Sequence, residues 1–413
     1  MLRTILLLVA SIFALASGAL ALETRFNGTL ETFGTAYTRH SVGTEDLYGE
    51  LLVRPKLTLI PTEQLLLVVS GDLRRDTAGY TQGILHGIPD REPRRATLGL
   101  REAYLEYVSS NVRLRVGNQL FDWSVTDTVS PADNIAPRDW TDIIRWERRA
   151  IPAVDVRIGT DWYLEASVIP FFMPSRLPPA NSRWERTLDT GASYGSPDYP
   201  TSGNPQLAVR AGATWNSIDL GASLYHGFSF SPFWKPELSS AGVSLHPYSV
   251  REQVYALSAA KEIEGFNARF ETGLFDQQGA DDFMQFVFGL DREFGNVFRP
   301  SDSLYTLLQY SDEVVFKKEN PYGVNAFDLR RILTKSIIGK FRYSFDDSKE
   351  WSLKLEGSYN FEHHDSYLQP AIAWMRGSLE TELGGDLFYG KKDTFFGGYW
   401  LNDRVYLKIT LLY

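Results

Sequence analysis

The feature that most constrains this chain is an alternation of apolar and polar residues that recurs along nearly its whole length. The final segment, 404–413, shows it clearly: the odd-numbered positions from Val405 to Tyr413 are all apolar, whereas Lys408 and Thr410 are polar. Successive side chains of a β-strand point to opposite faces of a sheet, so such a segment has one apolar and one polar face. The pattern therefore predicts an all-β chain whose sheet separates an apolar from an aqueous environment.

Extended segments with this period number about 18, and a count of 16 is the alternative. They lie near residues 24–38, 46–60, 63–76, 96–108, 111–123, 151–160, 162–171, 206–215, 217–230, 250–263, 265–277, 282–294, 303–316, 329–345, 350–361, 367–377, 378–390 and 404–413. Short joints alternate with long connections, which cover 77–95, 124–150, 172–205, 231–249, 317–328 and 391–403. Short periplasmic turns and long external loops are typical of a transmembrane antiparallel β-barrel of the outer membrane.

One hairpin illustrates the polar face. A two-residue turn at Ser109-Ser110 places Glu106 opposite Arg113, and Tyr104 opposite Arg115. Opposite charges that face each other across strands stabilise the pair by roughly 0.2–1 kcal/mol. A charge facing the hydrocarbon near the bilayer centre would instead cost roughly 2–4 kcal/mol. We therefore expect these side chains to face a wet lumen.

Composition is consistent with a membrane barrel and excludes other classes. Mean hydropathy is −0.22, and no apolar run after the first segment approaches the roughly 20 residues of a membrane helix. The net charge of −9 argues against nucleic acid as a partner, and the absence of Cys excludes thiol chemistry. Aromatic residues reach 14 %, as expected if they form belts at both membrane interfaces. Candidates near strand ends are Tyr37, Tyr48, Tyr107, Trp162, Trp215, Tyr225, Tyr310, Trp351, Tyr359 and Tyr389.

The first 21 residues have the features of an export signal. Arg3 provides a positive charge, residues 5–15 are apolar, and Ala19 and Ala21 flank Leu20 as a small-x-small cleavage site. The apolar stretch is too short for a spanning helix. We therefore expect residues 1–21 to be a signal peptide and residues 22–413 to form one barrel domain.

The chain stops on an aromatic residue directly after its last strand. Tyr413, with Leu411 and Ile409 on the same face, resembles the C-terminal assembly signal of outer-membrane barrels. The resemblance implies that the barrel assembly machinery is a partner, together with the outer-membrane lipid.

The most distinctive motif lies at residues 114–140, at the end of a strand and in the loop after it. Gly117, Gln119 and Trp123 are followed by Asp127 and by Ala-Pro-Arg-Asp at 136–139. This segment resembles a family of porin-like outer-membrane proteins of largely unassigned function, whose signature is Gly-Arg-Gln, Trp-Gly, an acidic residue and Asn-Pro-x-Asp. Three positions depart from that signature: Asn118, Ser124 and Ala136.

What the resemblance implies is a long loop, 124–150, that folds into the barrel and narrows the pore. The alternative is that this loop lies outside and serves only stability or surface packing. The candidate constriction residues are Arg113, Arg115, Gln119, Trp123, Asp127, Asp133, Arg138 and Asp139. Carboxylates and guanidiniums around a narrow opening would set a local field that sorts solutes by charge.

Together these features predict a passive outer-membrane channel for small polar or charged solutes, with no cofactor and no metal. No Gly-x-Ser-x-Gly elbow or phosphate-binding glycine loop occurs, so no residue is assigned a catalytic role. Two alternatives stay open: a conduit for an exported polysaccharide or a hydrophobic nutrient, and a barrel enzyme or structural part of an envelope complex. A homotrimer is one option, because porins of 16 to 18 strands often form trimers.

Overall fold

Eighteen antiparallel strands form one sheet that closes into a barrel in the computed structural model. The structure describes residues 23–41, 43–185, 193–200, 204–240, 242–322, 328–346, 348 and 350–413. The bounds of the strands are β1 Glu23–Tyr37, β2 Leu47–Thr62, β3 Leu65–Asp76, β4 Leu98–Val108, β5 Val112–Gln119, β6 Ile151–Gly159, β7 Trp162–Ile169, β8 Gln206–Trp215, β9 Ile218–Phe228, β10 Arg251–Ile263, β11 Phe266–Gln277, β12 Asp282–Gly295, β13 Ser303–Lys317, β14 Ser336–Ser344, β15 Trp351–Asn360, β16 Ser366–Arg376, β17 Leu379–Tyr389 and β18 Arg404–Leu412. Each strand pairs with the next, and β1 pairs with β18. The predicted β-barrel of about 18 strands is confirmed, whereas the predicted signal peptide, 1–21, lies outside the described residues.

Smaller elements lie in the connections between strands. Two strands of two residues each, Arg138–Asp139 and Glu147–Arg148, form a short hairpin, and a 3-10 helix covers Gly397–Asn402. A three-stranded sheet is formed by Ser193–Tyr194, Phe233–Ser239 and Gly242–Tyr248. Among the described residues, no helix has both the length and the apolar character needed to cross a membrane.

The wall has an apolar outer face and a polar inner face. On β4, Leu105 is exposed on the outside, whereas Glu102 and Glu106 point inward and form ion pairs with Lys56 and Arg115. The sheet has no free edge, so its backbone donors and acceptors are paired within the wall. The outer face is therefore the surface that a bilayer covers.

The aromatic belts are confirmed for most of the predicted residues. Six have exposed rings on the outer face near strand ends: Tyr107, Trp162, Trp215, Trp351, Tyr359 and Tyr389. Tyr310 is also exposed on the outer face but lies midway along β13. The prediction is wrong for Tyr37, Tyr48 and Tyr225, which are buried inside the barrel. There the Tyr48 hydroxyl donates to Glu50 at 2.8 Å and the Tyr225 hydroxyl to Gln206 at 2.6 Å, partners that the lipid face does not offer.

The short turns set the strand register. Glu264 and Gly265 have φ of 52° and 82°, the positive values of the two-residue turn that matches the twist of a hairpin. The turn between β4 and β5 differs from the sequence prediction, because the Ser109 N–H donates to the Val112 carbonyl at 2.8 Å. Glu106 consequently lies opposite Arg115 instead of Arg113, a shift of two residues that keeps both side chains on the inner face.

Two strand boundaries predicted from the pattern are wrong. β5 ends at Gln119 instead of residue 123, and β14 begins at Ser336 instead of residue 329. Residues 328–335 contact the inner wall, where Arg330 lies 3.0 Å from Glu252 and Arg331 lies 2.5 Å from Glu313. The alternation of residues in this segment therefore predicts a strand, but the segment lies against the wall as a connection and is not part of the sheet.

The buried core lies inside the barrel, between the wall and the long connections. One cluster packs Phe121 and Ile135 against Phe275 of β11. A second cluster packs Phe396 against Tyr367 of β16, with ring centroids 5.8 Å apart. The connections therefore fill much of the interior and leave separate cavities between themselves and the wall.

Candidate functional site

Glu271 of β11 holds the first half of the segment 120–150, which we call the inserted segment. Its side chain is fully buried and accepts hydrogen bonds from the backbone of Val125, from the Thr126 N–H at 2.8 Å, and from the Ala132 N–H at 3.2 Å. The Ser130 hydroxyl donates to the same carboxylate at 2.6 Å. Four donors of the segment converge on this single buried carboxyl group, so the segment is fixed against the wall here.

The second half of the inserted segment contains the short hairpin, which we call the partition hairpin. Arg138 lies opposite Arg148, and Asp139 lies opposite Glu147. Neighbouring positions on a strand point to opposite faces, whereas directly opposed residues share a face. The partition hairpin therefore has one acidic face and one basic face.

Five guanidiniums contact the acidic face. Glu147 lies 2.6, 2.7 and 3.0 Å from three wall arginines, which are Arg54, Arg74 and Arg101. Asp139 lies 3.0 and 2.5 Å from two arginines of the long connections, which are Arg95 and Arg176. Burial by itself raises the pKa of a carboxyl, but these positive charges hold the pKa of Glu147 and of Asp139 well below the ordinary value. Both side chains are therefore ionised, and the acidic face is fully paired.

The basic face has fewer partners. Arg148 lies 2.8 Å from buried Asp133 and 2.9 Å from exposed Asp122, whereas Arg138 lies 3.5 Å from Asp133. The Arg138 guanidinium also stacks 4.7 Å from the centre of the Trp146 ring. Burial lowers the pKa of Arg138 despite Asp133, and the Arg148 charge adds to this effect. The charge of Arg138 is therefore only partly neutralised.

A cavity of about 270 Å³, which we call the main chamber, lies between the inserted segment and the inner face of β10 to β16. Other connections also line it, with Ser175, Phe230, Ser231, Leu329, Arg330, Ile332, Leu333, Phe395 and Phe396. Its charged lining residues are Asp127, Asp133, Arg138, Glu252, Arg330, Lys340 and Glu356. Its large apolar lining residues include Trp140, Ile143, Ile144, Trp146, Phe230, Ile332, Phe395 and Phe396. The main chamber thus combines both signs of charge with an extensive apolar surface.

A second cavity, the small chamber, has a volume of about 120 Å³, and both residues of the acidic face, Asp139 and Glu147, line it. The opposite side is the inner face of β3, β4 and β5, with Arg74, Arg101 and Asn118. Arg138 lines the main chamber, whereas Asp139, Glu147 and Arg148 line the small one, so the partition hairpin lies between the two.

The structure distributes the eight predicted constriction residues over different places. Asp127, Asp133 and Arg138 line the main chamber, and Asp139 lines the small one. The remaining four line neither chamber: Arg113, Arg115, Gln119 and Trp123.

Those four residues contact the wall or the buried core. Arg113 lies 3.4 Å from Asp155, and Arg115 forms an ion pair with Glu106. The Gln119 amide donates to the Ala153 carbonyl at 3.1 Å, and the buried Trp123 ring lies under the Arg210 guanidinium at 5.0 Å. Their contacts favour a role in bracing the wall and holding the inserted segment.

The structure explains why position 117 of the motif is a glycine. Its φ is +135°, and a Cβ at this position would lie 2.3 Å from the Ala103 carbonyl oxygen. A side chain there would therefore push β4 away from β5, just before the inserted segment begins.

Several lining residues were not identified from the sequence. Trp140 and Trp146 carried a signal, because large aromatic residues in an otherwise polar loop indicate that the loop is buried. Glu147, Arg330 and Lys340 carried none, because their roles depend on partners far away in the chain.

The terminal residues lie at the seam between β18 and β1. The Gly28 N–H donates to the Tyr413 carbonyl at 2.8 Å, and the Tyr413 N–H donates to the Gly28 carbonyl at 3.1 Å. Leu411 and Ile409 face outward. The assembly signal itself stays a prediction.

The described residues contain no group of three His, Asp or Glu side chains that could hold a metal ion. His226 is exposed on β9, whereas the buried Ser229 hydroxyl donates to the Ser231 carbonyl at 3.0 Å. This pair therefore lacks the geometry of a nucleophile and its base.

Comparisons with known proteins bear on the fold. No family model matches the sequence, and no curated protein matches it. Among solved structures, the barrel is similar to the outer membrane protein OpdK of Pseudomonas aeruginosa, with a TM-score of 0.53, 11% identity, and coverage of 95% of this chain and 98% of that chain. A structure of OpdK with vanillate gives a TM-score of 0.50 at 11% identity over the same shares of both chains. OccAB2 of Acinetobacter baumannii gives 0.51 at 10% identity, with 95% of this chain and 98% of that chain covered. The chain therefore has the fold of a Gram-negative outer-membrane β-barrel, and its membership of the family with the Gly-Arg-Gln signature stays a prediction.

Proposed function

We propose that this barrel is a passive channel of the outer membrane, and that the main chamber is the narrow part of its solute path. The observation that carries this proposal is a cavity of about 270 Å³ between the inserted segment and a polar inner wall. Charged and polar groups at such a constriction replace part of the hydration of a passing solute. The inserted segment narrows the pore in this proposal, because Glu271 and the acidic face of the partition hairpin fix it against the wall.

The lining favours small solutes that have both an apolar body and a charged group. Arg138 offers a partly neutralised guanidinium beside the Trp146 ring, and Ile143 and Phe396 add apolar surface nearby. A carboxylate bound to Arg138 would leave an attached ring in contact with the indoles. Vanillate, an aromatic carboxylate, is the compound named with one OpdK structure, and we choose it as the first probe.

The mixed charge of the main chamber distinguishes this proposal from an export conduit for an acidic polysaccharide. Such a polymer would favour a continuous basic surface, whereas Asp127, Glu252 and Glu356 line the chamber together with Arg138 and Lys340. A path for a hydrophobic nutrient stays the nearer alternative, because the apolar share of the lining is large.

Single-channel recording in a planar bilayer tests the proposal. We expect discrete conductance steps and a reversible reduction of the current by vanillate, weaker in the Arg138→Gln and Trp146→Ala variants. Benzyl alcohol, which has the ring without the carboxylate, is the matched control solute and should reduce the current less. A barrel that inserts without conductance steps would contradict the channel, and equal block by both solutes would favour the hydrophobic path.

Partners beyond the lipid belong to the same proposal. Recognition of Tyr413 by the barrel assembly machinery and formation of a homotrimer are predictions from the sequence. Light scattering of the detergent-solubilised chain measures the number of protomers directly, and a monomer mass would contradict the trimer.

A further inference from the structure

The small chamber carries more positive than negative charge. Its lining contains six arginines and four carboxylates, and the carboxylates are Asp72, Asp90, Asp139 and Glu147. Each of these four already contacts two or three guanidiniums. The negative charge of each carboxylate is therefore already shared between at least two arginines.

The surplus is located at Arg101 and Arg149. Within the described parts of the chain, the Arg101 side chain donates only to Glu147, a carboxylate that it shares with two other arginines. Arg149 lies 2.9 Å from Asp90, which is also 2.6 Å from Arg176. By contrast, Arg74 has a further carboxylate in Glu50, at 3.1 Å.

The surroundings of Arg149 are unfavourable for its own charge. Burial and the nearby charge of Arg176 lower the pKa of Arg149 to about 10. A buried cation without full neutralisation costs free energy, and an anion beside it removes that cost. Arg149 also donates to the backbone carbonyls of Pro174 at 2.7 Å and of Asp90 at 2.8 Å, which are neutral acceptors and leave its charge unbalanced. A guanidinium has five N–H donors, so Arg149 keeps donors for an oxyanion in addition to those of Arg101.

We propose that the small chamber is a binding site for a small oxyanion of the phosphate class, held by Arg101 and Arg149. A volume of about 120 Å³ admits one tetrahedral oxyanion with a few waters, since a water occupies roughly 30 Å³ in the liquid. The bound anion connects a wall arginine to the end of the inserted segment. It therefore stabilises the position of the partition hairpin without entering the main chamber.

Thermal unfolding of the purified full chain in detergent tests the site. Phosphate is titrated at constant ionic strength, with chloride replaced in equal measure, and a ligand of the folded state raises Tm in a saturable way. We expect a rise of several degrees in the parent chain and in the control Arg376→Gln, whose side chain is 73% exposed at a turn. In Arg101→Gln and Arg149→Gln the midpoint of the phosphate titration should move to concentrations at least tenfold higher.

The proposal is overturned if phosphate raises Tm no more than chloride, or if Arg101→Gln has the parent midpoint. Should Arg149→Gln fail to fold, Arg101→Gln decides alone, and Arg101→Lys separates loss of charge from loss of the forked donor. These measurements need no bilayer and no vanillate. A silent barrel in the conductance experiment would therefore leave this site standing, and a phosphate-insensitive Tm would leave the channel standing.

Discussion

The two faces of the partition hairpin are built from neighbouring residues but are paired to different extents. Asp139 and Glu147 contact five guanidiniums, whereas Arg138 and Arg148 share one buried carboxylate, Asp133. We propose two tasks for this one short element on the basis of the difference. Its acidic face would attach the inserted segment to the wall, and Arg138 of its basic face would offer a partly neutralised charge to the main chamber.

Replacement of Glu147 should cause the largest loss of unfolding free energy. Glu147→Gln removes the carboxylate that buried Arg74 shares with partly buried Arg54 and Arg101, and breaking a buried ion pair costs about 3–5 kcal/mol. Chemical unfolding of the chain in detergent measures this loss. Glu356→Gln is the matched control, because this carboxylate is 43% exposed and lies 3.7 Å from Lys340, so it should cost less than about 1 kcal/mol. Equal losses for both variants would contradict an anchoring role for the acidic face.

Substitution of Glu271 tests whether the first half of the inserted segment is held as firmly as the end that Glu147 attaches. Glu271→Ala leaves the N–H groups of Val125, Thr126 and Ala132 unpaired, and one such buried donor already costs about 1–3 kcal/mol. The costs do not simply add, because the alanine variant leaves room for water to reach these donors, so we expect a loss of stability next in size to that of Glu147→Gln, together with noisier open-channel current. Glu271→Gln keeps an acceptor oxygen and should lie between the parent and the alanine variant. A quiet Glu271→Ala channel with parental conductance would show that the segment needs no anchor here.

Substitution of Arg138 on the basic face should weaken solute binding more than it lowers the free energy of unfolding. Arg138→Gln removes a stacked, partly neutralised guanidinium, which we expect to cost about 1 kcal/mol of folding free energy. The vanillate concentration that halves the current should rise roughly tenfold, equivalent to about 1.4 kcal/mol. Concentration series in a planar bilayer give this value. If the concentration for half-block were unchanged, the available charge would have no part in binding.

Asp127 should show the smallest effect. It is the most exposed of the three predicted carboxylates, with an ion pair of 2.9 Å to Arg269, and such half-exposed pairs contribute about 0–1 kcal/mol. Asp127→Asn should shift the reversal potential modestly towards anions and leave unfolding nearly unchanged. Asp139→Asn, in contrast, should destabilise the chain, because it uncovers Arg95 and Arg176. A larger selectivity change from Asp139 than from Asp127 would reverse our assignment of the two chambers.

The wall could be predicted from the sequence because its rule is local. Lipid outside and water inside impose a period of two on every strand, so β8 was placed at 206–215 as the structure has it. The prediction was wrong at 329–335, where Arg330 and Arg331 have the spacing of lumen residues but pair with the distant Glu252 and Glu313. Local alternation cannot distinguish a strand from a segment that lies against one.

The candidate site was less predictable because its contacts join residues far apart in the chain. The motif lies in the segment that lines the main chamber, and of the eight predicted constriction residues Asp127, Asp133 and Arg138 line that chamber. Arg113 and Arg115 were predicted for the constriction because they alternate towards the lumen, but their neighbours Asp155 and Glu106 pair with them on the wall. Which charge is used within the wall and which is left for a solute depends on these pairings.

Chemical labelling inside the barrel tests most directly whether the inserted segment lines the solute path. The chain has no cysteine, so Asn134→Cys places a single thiol in the lining of the main chamber, and Leu257→Cys places one on the exposed outer face as a control. We predict that a charged methanethiosulfonate reagent lowers the single-channel conductance of Asn134→Cys in one step and leaves Leu257→Cys unchanged. Labelling of Asn134→Cys, verified by mass, with no change in conductance would contradict a path through the main chamber.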